Sequence, residues 1–151
     1  MDLVLQKATE LGVAAIQPIL TARSVVRLSS ERQERREAHW QNVVIAACEQ
    51  CGRNRVPRVA PSLSFGEFFA APAEAGTRVL LAPDGEATVR SLAPQAPVTV
   101  LIGPEGGLAP EERAIAVAAG FVTVRFGPRV LRTETAPLAA LAALQAIYGD
   151  C

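Results

Sequence analysis

Apolar residues recur at two different spacings along the first seventy positions, and these spacings predict helices and strands in turn. The pattern predicts a helix over 2–11, a strand over 15–21, a long helix over 30–50 and a short helix after Ser64. Gly12 follows the first helix, as a C-terminal capping glycine does. Ser30 with Gln33, and Ser64 with Glu67, have the spacing of capping boxes at helix starts.

The second half alternates more regularly between apolar runs and helical patterns. It is predicted to form strands over 78–82, 98–102 and 121–126. One or two helical turns are predicted over 87–92, and a helix is predicted to begin at Pro110 and end at Gly120. A final helix is predicted to be capped by Thr133 or Thr135. Apolar strands alternating with helices are typical of an α/β fold, in which helices cover both faces of a parallel sheet. The final helix is apolar nearly all round, which predicts that it is buried.

Length and charge limit the classes of protein that fit. The chain has 151 residues, which suits one domain, and half of them are hydrophobic, which suffices for a core. Its net charge is zero, which argues against holding nucleic acid by bulk charge. Residues 1–60 carry nine basic and six acidic side chains, whereas residues 61–151 carry six basic and nine acidic ones. The basic half is either a surface for RNA or a solvated helix face.

The cysteines and the apolar stretches predict neither a metal nor a membrane partner. Cys48 and Cys51 form a C-x-x-C, but no second ligand pair accompanies it and His39 is the only histidine, so a structural role in a helix is favoured. Charged residues interrupt the first ten positions, which disfavours a signal peptide, and the longest apolar stretch is too short to span a bilayer. The sequence therefore predicts a cytoplasmic protein.

Three predicted strands end in unusual sequences, at 81–86, 102–107 and 126–135. Ligands of open α/β sheets bind beyond such strand ends. Gly103, Gly106 and Gly107 allow a close approach of the backbone to a ligand, and a backbone-lined pocket suits adenine; the alternative is an ordinary tight turn. The dinucleotide-binding motif G-x-G-x-x-G does not occur in the sequence. The phosphate-binding motif G-K-[ST] does not occur either, because Lys7 is the only lysine. Both absences disfavour an ATPase or a dinucleotide enzyme.

The third of these segments gathers charged and hydroxyl side chains before the final helix. They are Arg129, Arg132, Thr133, Glu134 and Thr135. A cation, a carboxylate and hydroxyls at a helix N-terminus can position an anion or a polar base. The alternative is a threonine cap beside a surface Arg132–Glu134 ion pair that contributes little to stability.

Four segments, in order, resemble a known family. They are KATELGV at 7–13, EQCGR at 49–53, IGPEGG at 102–107 and VLRTETA at 130–136. Together they resemble the catalytic domain of the bacterial 16S ribosomal RNA uridine-N3 methyltransferases of the SPOUT superfamily. The resemblance covers essentially the whole chain, 1–151, and four ordered motifs are far more specific than any one of them.

The resemblance implies a SPOUT-type α/β domain with a C-terminal trefoil knot, a rare chain topology. It also implies S-adenosylmethionine as the cofactor, and a homodimer that acts on ribosomal RNA or the small ribosomal subunit. The cofactor site that it implies is lined by Leu81, Ile102, Gly103, Glu105, Gly106, Gly107, Phe126, Leu131 and Thr133. Family members carry an N-terminal PUA-like RNA-binding domain that this chain lacks, so an excised or truncated catalytic domain is expected.

Methylation at N3 sets the roles that side chains must fill. Uridine N3 must lose its imide proton before or during transfer, and the charge spread onto O2 and O4 must be stabilised. Arg132 is the first candidate to stabilise that charge, Glu134 is a candidate base or base-orienting group, and Glu105 is a weaker candidate. RNA or dimer contacts are predicted at Lys7, Glu10, Arg23, Glu49 and Arg53, with pairing across the first helix and strand as the alternative.

Three other functions stay open at this point. Ribose 2′-O methylation would keep the fold and the cofactor but change the product. A non-catalytic RNA-binding or ribosome-assembly module would bind no cofactor, or bind it without turnover. A nucleotide-binding regulatory domain is disfavoured because no phosphate loop is present.

Overall fold

A computed structural model describes residues 1–24, 30–72 and 75–149 of the chain. The helices are α1 (Asp2–Glu10), α2 (Ser30–Cys51), α3 (Phe65–Ala70), α4 (Pro110–Ala118) and α5 (Thr135–Tyr148). The strands are β1 (Ala15–Ile16), β2 (Ile19–Leu20), β3 (Arg58–Val59), β4 (Leu63–Ser64), β5 (Thr77–Leu81), β6 (Ala87–Thr88), β7 (Val98–Ile102) and β8 (Val122–Arg125).

The second half of the chain forms a four-stranded sheet in the order β6-β8-β5-β7. The first half adds two short pairs, β1 with β3 and β2 with β4. Each of these pairings is parallel, which confirms the parallel sheet predicted from the apolar strands.

Helices cover both faces of the four-stranded sheet, as the sequence predicts. Neighbouring residues of a strand point to opposite faces. Leu80 of β5 is buried with Ala116 of α4, and Phe68 of α3 packs against the same cluster. Val79 is buried on the other face, where Leu144 of α5 packs.

A separate core holds the first two helices together. Leu5 of α1 is fully buried with Trp40 and Val44 of α2. The carboxamide of Gln41 accepts the N–H of Val59 at 3.0 Å and donates to the carbonyl of Pro57 at 3.2 Å, which fixes β3 against α2.

The helix boundaries agree closely with the sequence pattern. Gly12 has a φ of 87°, so a glycine suits the turn after α1. The Ser64–Glu67 capping box is confirmed: the Ser64 Oγ accepts the N–H of Glu67 at 3.2 Å, and the Glu67 carboxylate accepts the N–H of Ser64 at 2.8 Å. The box predicted at Ser30 and Gln33 depends on the Ser30 side chain, which lies outside the described residues.

Two predictions of regular structure were wrong in detail. The single strand predicted over 15–21 is two strands separated by Gln17 and Pro18, because proline has no N–H to continue a ladder. The Gln17 amide donates to the carbonyls of Pro18 and Pro61 across this break. The helical turns predicted over 87–92 are the strand β6 followed by a 3₁₀ turn, Val89–Ser91.

The final helix also departs from prediction. Its N-cap residue is Glu134, with no side-chain cap, so capping by Thr133 or Thr135 was wrong. The carbonyl of Arg132 instead accepts the N–H groups that begin the helix. Burial of the whole helix was also wrong, because Ile147 and Tyr148 are 46% and 41% exposed.

Other features of the described ranges bear on what the chain can bind. No helix in residues 1–24, 30–72 and 75–149 is long and apolar enough to cross a bilayer. Cys48 is buried on α2 and Cys51 is exposed. The trefoil knot stays a prediction.

Candidate functional site

The register of the four-stranded sheet brings the three unusual segments to one edge. Leu81 at the end of β5 lies beside Ile102 of β7 and beside Val124 of β8. The chain leaves these strands in the same direction, because all three are parallel. A cavity of about 100 Å³ lies at this edge and is lined by Leu80, Leu81, Ala82, Pro83, Asp84, Gly103, Leu108 and Arg113. The structure thus brings together Leu81, Ile102 and Gly103 of the predicted cofactor site.

The segment after β7 is a tight loop that requires glycine at two positions. A Cβ on Gly103 would lie 3.0 Å from the backbone nitrogen of Leu108, so a side chain there would push the loop apart. Gly107 has a φ of 68°, in the left-handed region, and its N–H donates to the carbonyl of Pro104 at 2.8 Å. Glu105 and Gly106, at the tip of this turn, are exposed.

Arg23, a predicted RNA or dimer contact, lies against this loop. Its guanidinium donates to the carbonyl of Gly106 at 2.5 Å, and a Cβ on Gly106 would lie 3.4 Å from the Arg23 Cδ. The turn after β2 is therefore joined to a predicted cofactor segment that is more than eighty residues away in sequence.

Glu112, which the sequence analysis did not single out, forms a second link between these segments. It is only 8% exposed. Its Oε1 accepts the N–H of Ala22 at 2.8 Å, and its Oε2 accepts the N–H of Ala109 at 2.9 Å. The contact with Ala109 could have been predicted, because a glutamate three residues after a helix N-cap reaches back to it. Nothing local indicated the contact with Ala22.

The segment after β5 is held by an ion pair at the mouth of the edge cavity. Arg113 of α4 donates through one nitrogen to both carboxylate oxygens of Asp84, at 2.9 and 2.7 Å. The hydrogen bond from Arg113 keeps the pKa of Asp84 below its usual value. Both side chains are substantially exposed, so this pair orients the loop more than it stabilises the fold.

The third segment begins at an anchored residue and carries an exposed cation. Phe126 packs against the core around Val79, and Leu131 and Thr133 are partly buried. The Arg132 side chain is 85% exposed, and its guanidinium lies 3.9 Å from the carboxylate of Glu134, which is a loose ion pair. The two predicted catalytic side chains are therefore neighbours.

The other predicted RNA or dimer contacts lie on α1, on α2 and just after α2. Lys7 and Glu10 form an ion pair at 2.8 Å. Arg53 donates to the carbonyls of Thr9 and Val13, at 2.7 and 2.9 Å, and so satisfies backbone groups at the end of α1. Glu49 is exposed on α2.

A larger cavity, of about 570 Å³, lies between α2, α3 and the turn after β2. It is lined by Leu20, Thr21, Ala22, Ser24, Gln33, Arg36, Trp40, Ser62, Ser64, Phe65, Gly66 and Glu112. The Arg36 guanidinium lies 4.9 Å from the centre of the Trp40 ring. Among the residues that the structure describes, no three His, Cys, Asp or Glu side chains converge as metal ligands would.

Known proteins match this chain in sequence and in structure. The family model described as "RNA methyltransferase domain" matches residues 1–145. The ribosomal RNA small subunit methyltransferase E of Buchnera aphidicola subsp. Schizaphis graminum is 34% identical, over 99% of this chain and 61% of that protein. The enzyme of the same name from Synechocystis is 37% identical, over 95% of this chain and 48% of its own length.

A solved structure of the same kind of protein carries a ligand. The ribosomal RNA small subunit methyltransferase E of Neisseria gonorrhoeae, bound to S-adenosylmethionine, superposes with a TM-score of 0.92 at 42% identity, over 99% of this chain and 62% of that one. This chain thus spans less than two thirds of each of these relatives. Because the family model matches nearly all of its residues, the chain belongs to the RNA methyltransferase domain family.

Proposed function

We propose that this chain is the catalytic domain of an S-adenosylmethionine-dependent enzyme that methylates a uridine of small-subunit ribosomal RNA at N3. The observation that carries the proposal is the meeting of the 81–86, 102–107 and 126–135 segments at one edge of the parallel sheet. Its support from known proteins is the 42% identity to a ribosomal RNA methyltransferase solved with S-adenosylmethionine.

The residues at this edge fit such a cofactor. The cavity beside Leu81 and Leu108 is apolar on those sides, and the backbone of the Gly103–Gly107 loop supplies donors and acceptors, which suits an adenine ring. A volume of about 100 Å³ holds only part of the molecule. The rest would lie against the third segment, beside Leu131 and Thr133.

The side chains of the third segment supply what the reaction needs from the protein. S-adenosylmethionine, when bound, provides a methyl group already activated by a sulfonium. The exposed Arg132 guanidinium can stabilise the negative charge that N3 deprotonation spreads onto O2 and O4. The Glu134 carboxylate, beside it, can accept the imide proton or orient the group that does.

Calorimetric titration of the chain tests the cofactor. We expect S-adenosylmethionine and S-adenosylhomocysteine to bind at one site per chain, and ATP and NAD not to bind. A folded chain that binds neither S-adenosylmethionine nor S-adenosylhomocysteine would contradict the proposal.

The position of methylation is tested on small ribosomal subunits that lack the modification. Reverse transcription should stop at the product nucleotide, because a methyl group on N3 blocks Watson–Crick pairing. Nucleoside mass analysis should identify 3-methyluridine. A 2′-O-methyl nucleoside would replace the proposed reaction by ribose methylation, and cofactor binding with no methylated product would favour a non-catalytic RNA-binding module.

The proposal includes a homodimer in the cytoplasm and the family's knotted topology. Support for the dimer comes from α1 and α5, which pack together and leave Leu3, Ile147 and Tyr148 between 41% and 52% exposed. Support for the knot comes from α5, which packs against β7 and against the 3₁₀ turn Val89–Ser91. The Tyr148 hydroxyl at the end of α5 donates to the carbonyl of Val89 in that turn, at 3.1 Å. An experimental structure traced through 75–149 tests the knot.

We expect sedimentation equilibrium to give twice the chain's 15.9 kDa. Replacing Leu3 and Ile147 together by aspartate should reduce the mass to that of one chain, because two charges would be buried without partners in the interface. The matched control is Val117→Asp, on α4, whose side chain is 49% exposed. A monomeric unaltered chain would refute the dimer.

A further inference from the structure

Glu112 is a buried carboxylate whose position suggests more than helix capping. Its two oxygens accept backbone N–H groups from two segments that are separated by almost ninety residues, at Ala22 and Ala109. It does not line the edge cavity but lines the larger cavity between α2, α3 and the turn after β2, so it does not itself contact the proposed cofactor site. We propose that Glu112 is a positioning residue, which holds the Gly103–Ala109 loop in the shape that binds S-adenosylmethionine.

The first part of this clamp fixes the end of the loop. Ala109 follows Leu108, whose backbone nitrogen would lie 3.0 Å from a Cβ on Gly103. The Glu112–Ala109 hydrogen bond therefore holds the point where the two ends of the loop come closest. Hydrogen bonds to a charged acceptor are about twice as strong as those between neutral groups.

The second part fixes the tip of the loop through Arg23. The Glu112–Ala22 hydrogen bond holds the turn that carries Arg23, and the Arg23 guanidinium donates to the carbonyl of Gly106. Gly103 and Gly107 allow the loop backbone more conformations than other residues would, and these two attachments add to the Gly107–Pro104 hydrogen bond in restricting them. Losing Glu112 would release the end of the loop directly and its tip indirectly.

A glutamine at this position tests the clamp. The Glu112→Gln side chain has one carbonyl oxygen, so it can keep one N–H and must present an NH₂ group to the other. We expect S-adenosylhomocysteine to bind about tenfold to a hundredfold more weakly, as for the loss of a buried hydrogen bond to a charged group. At saturating S-adenosylmethionine the methyl-transfer rate should stay within a few-fold of normal, so that KM rises and kcat does not fall in proportion.

Glu111→Gln is the matched control. It removes the same charge one residue away on the same helix, and Glu111 is exposed. Its affinity for S-adenosylhomocysteine should stay within twofold of the unaltered chain. Amide hydrogen exchange without ligand should quicken across 103–109 and at Ala22 in Glu112→Gln alone.

The outcomes separate this inference from the proposed function, on which it rests. No binding by the unaltered chain contradicts the cofactor and this inference together. Normal binding by the unaltered chain and by Glu112→Gln contradicts the inference alone. A lower unfolding temperature with an unchanged Kd would assign Glu112 a purely structural role and also overturn it.

A second variant serves if Glu112→Gln does not fold. Arg23→Ala removes an exposed side chain and the bond to Gly106, so the chain should keep its stability while binding weakens several-fold. Arg23→Lys keeps a donor and should recover part of the affinity. Unchanged binding by Arg23→Ala would overturn the clamp.

Discussion

Replacing Arg132 by alanine is expected to slow methyl transfer by a factor of about 10² or more, which is the usual effect of removing a group that stabilises developing charge. The Arg132 side chain is 85% exposed and has only a loose ion pair with Glu134 at 3.9 Å. An exposed pair of this kind contributes little to stability, so the variant should stay folded. The Arg132 carbonyl accepts the N–H groups of Thr135 and Ala136 at the start of α5, and the substitution keeps this carbonyl because it belongs to the backbone.

The assay is single-turnover methylation of unmodified small subunits at saturating cofactor. Arg90→Ala is the control, since Arg90 is an exposed arginine outside the proposed site, and its rate should stay within about twofold of normal. Arg132→Lys should keep part of the activity, because it retains the charge but not the planar group with its several donors. Near-normal transfer by Arg132→Ala would remove this residue from the catalytic role.

The sequence predicted the part of the site that depends only on the strands being parallel. In a parallel sheet the segments that follow Leu81, Ile102 and Val124 leave at one edge, whatever their side chains do. The capping box at Ser64 and the turn at Gly12 were likewise predicted, because both depend on contacts within a few residues.

Contacts between distant segments could not be predicted in the same way. The acceptor role of Glu112 toward Ala22, and the donation from Arg23 to Gly106, depend on how the first half of the chain packs on the second. The exposure of Ile147 could not be predicted either. An apolar helix pattern indicates that the helix is buried, but it does not show which of its turns other elements of the chain pack against. A hydrophobic pattern alone does not separate a core from an interface.

A large effect on stability is expected for Gly85→Ala. Gly85 is buried where the turn after β5 crosses β8, and its Cβ would lie 2.6 Å from the carbonyl carbon of Val124 and 2.7 Å from the nitrogen of Arg125. These are backbone atoms of a strand that pairs on both sides, so no side-chain rotation can relieve the contact. Overpacking costs about 1–3 kcal/mol even where side chains can adjust, so we expect a loss of about 3 kcal/mol in the free energy of unfolding.

Gly66→Ala makes the same chemical change with the opposite expected sign. Gly66 lies within α3 and a Cβ there meets nothing within 4 Å, so alanine should stabilise the chain by about 0.5–1 kcal/mol through helix propensity. Urea unfolding followed by circular dichroism measures both variants. Similar effects for the two would contradict the close approach of Gly85 to β8.

Because β8 leads directly into the segment that carries Arg132, a displaced β8 should also weaken binding of S-adenosylhomocysteine in the Gly85→Ala chains that remain folded.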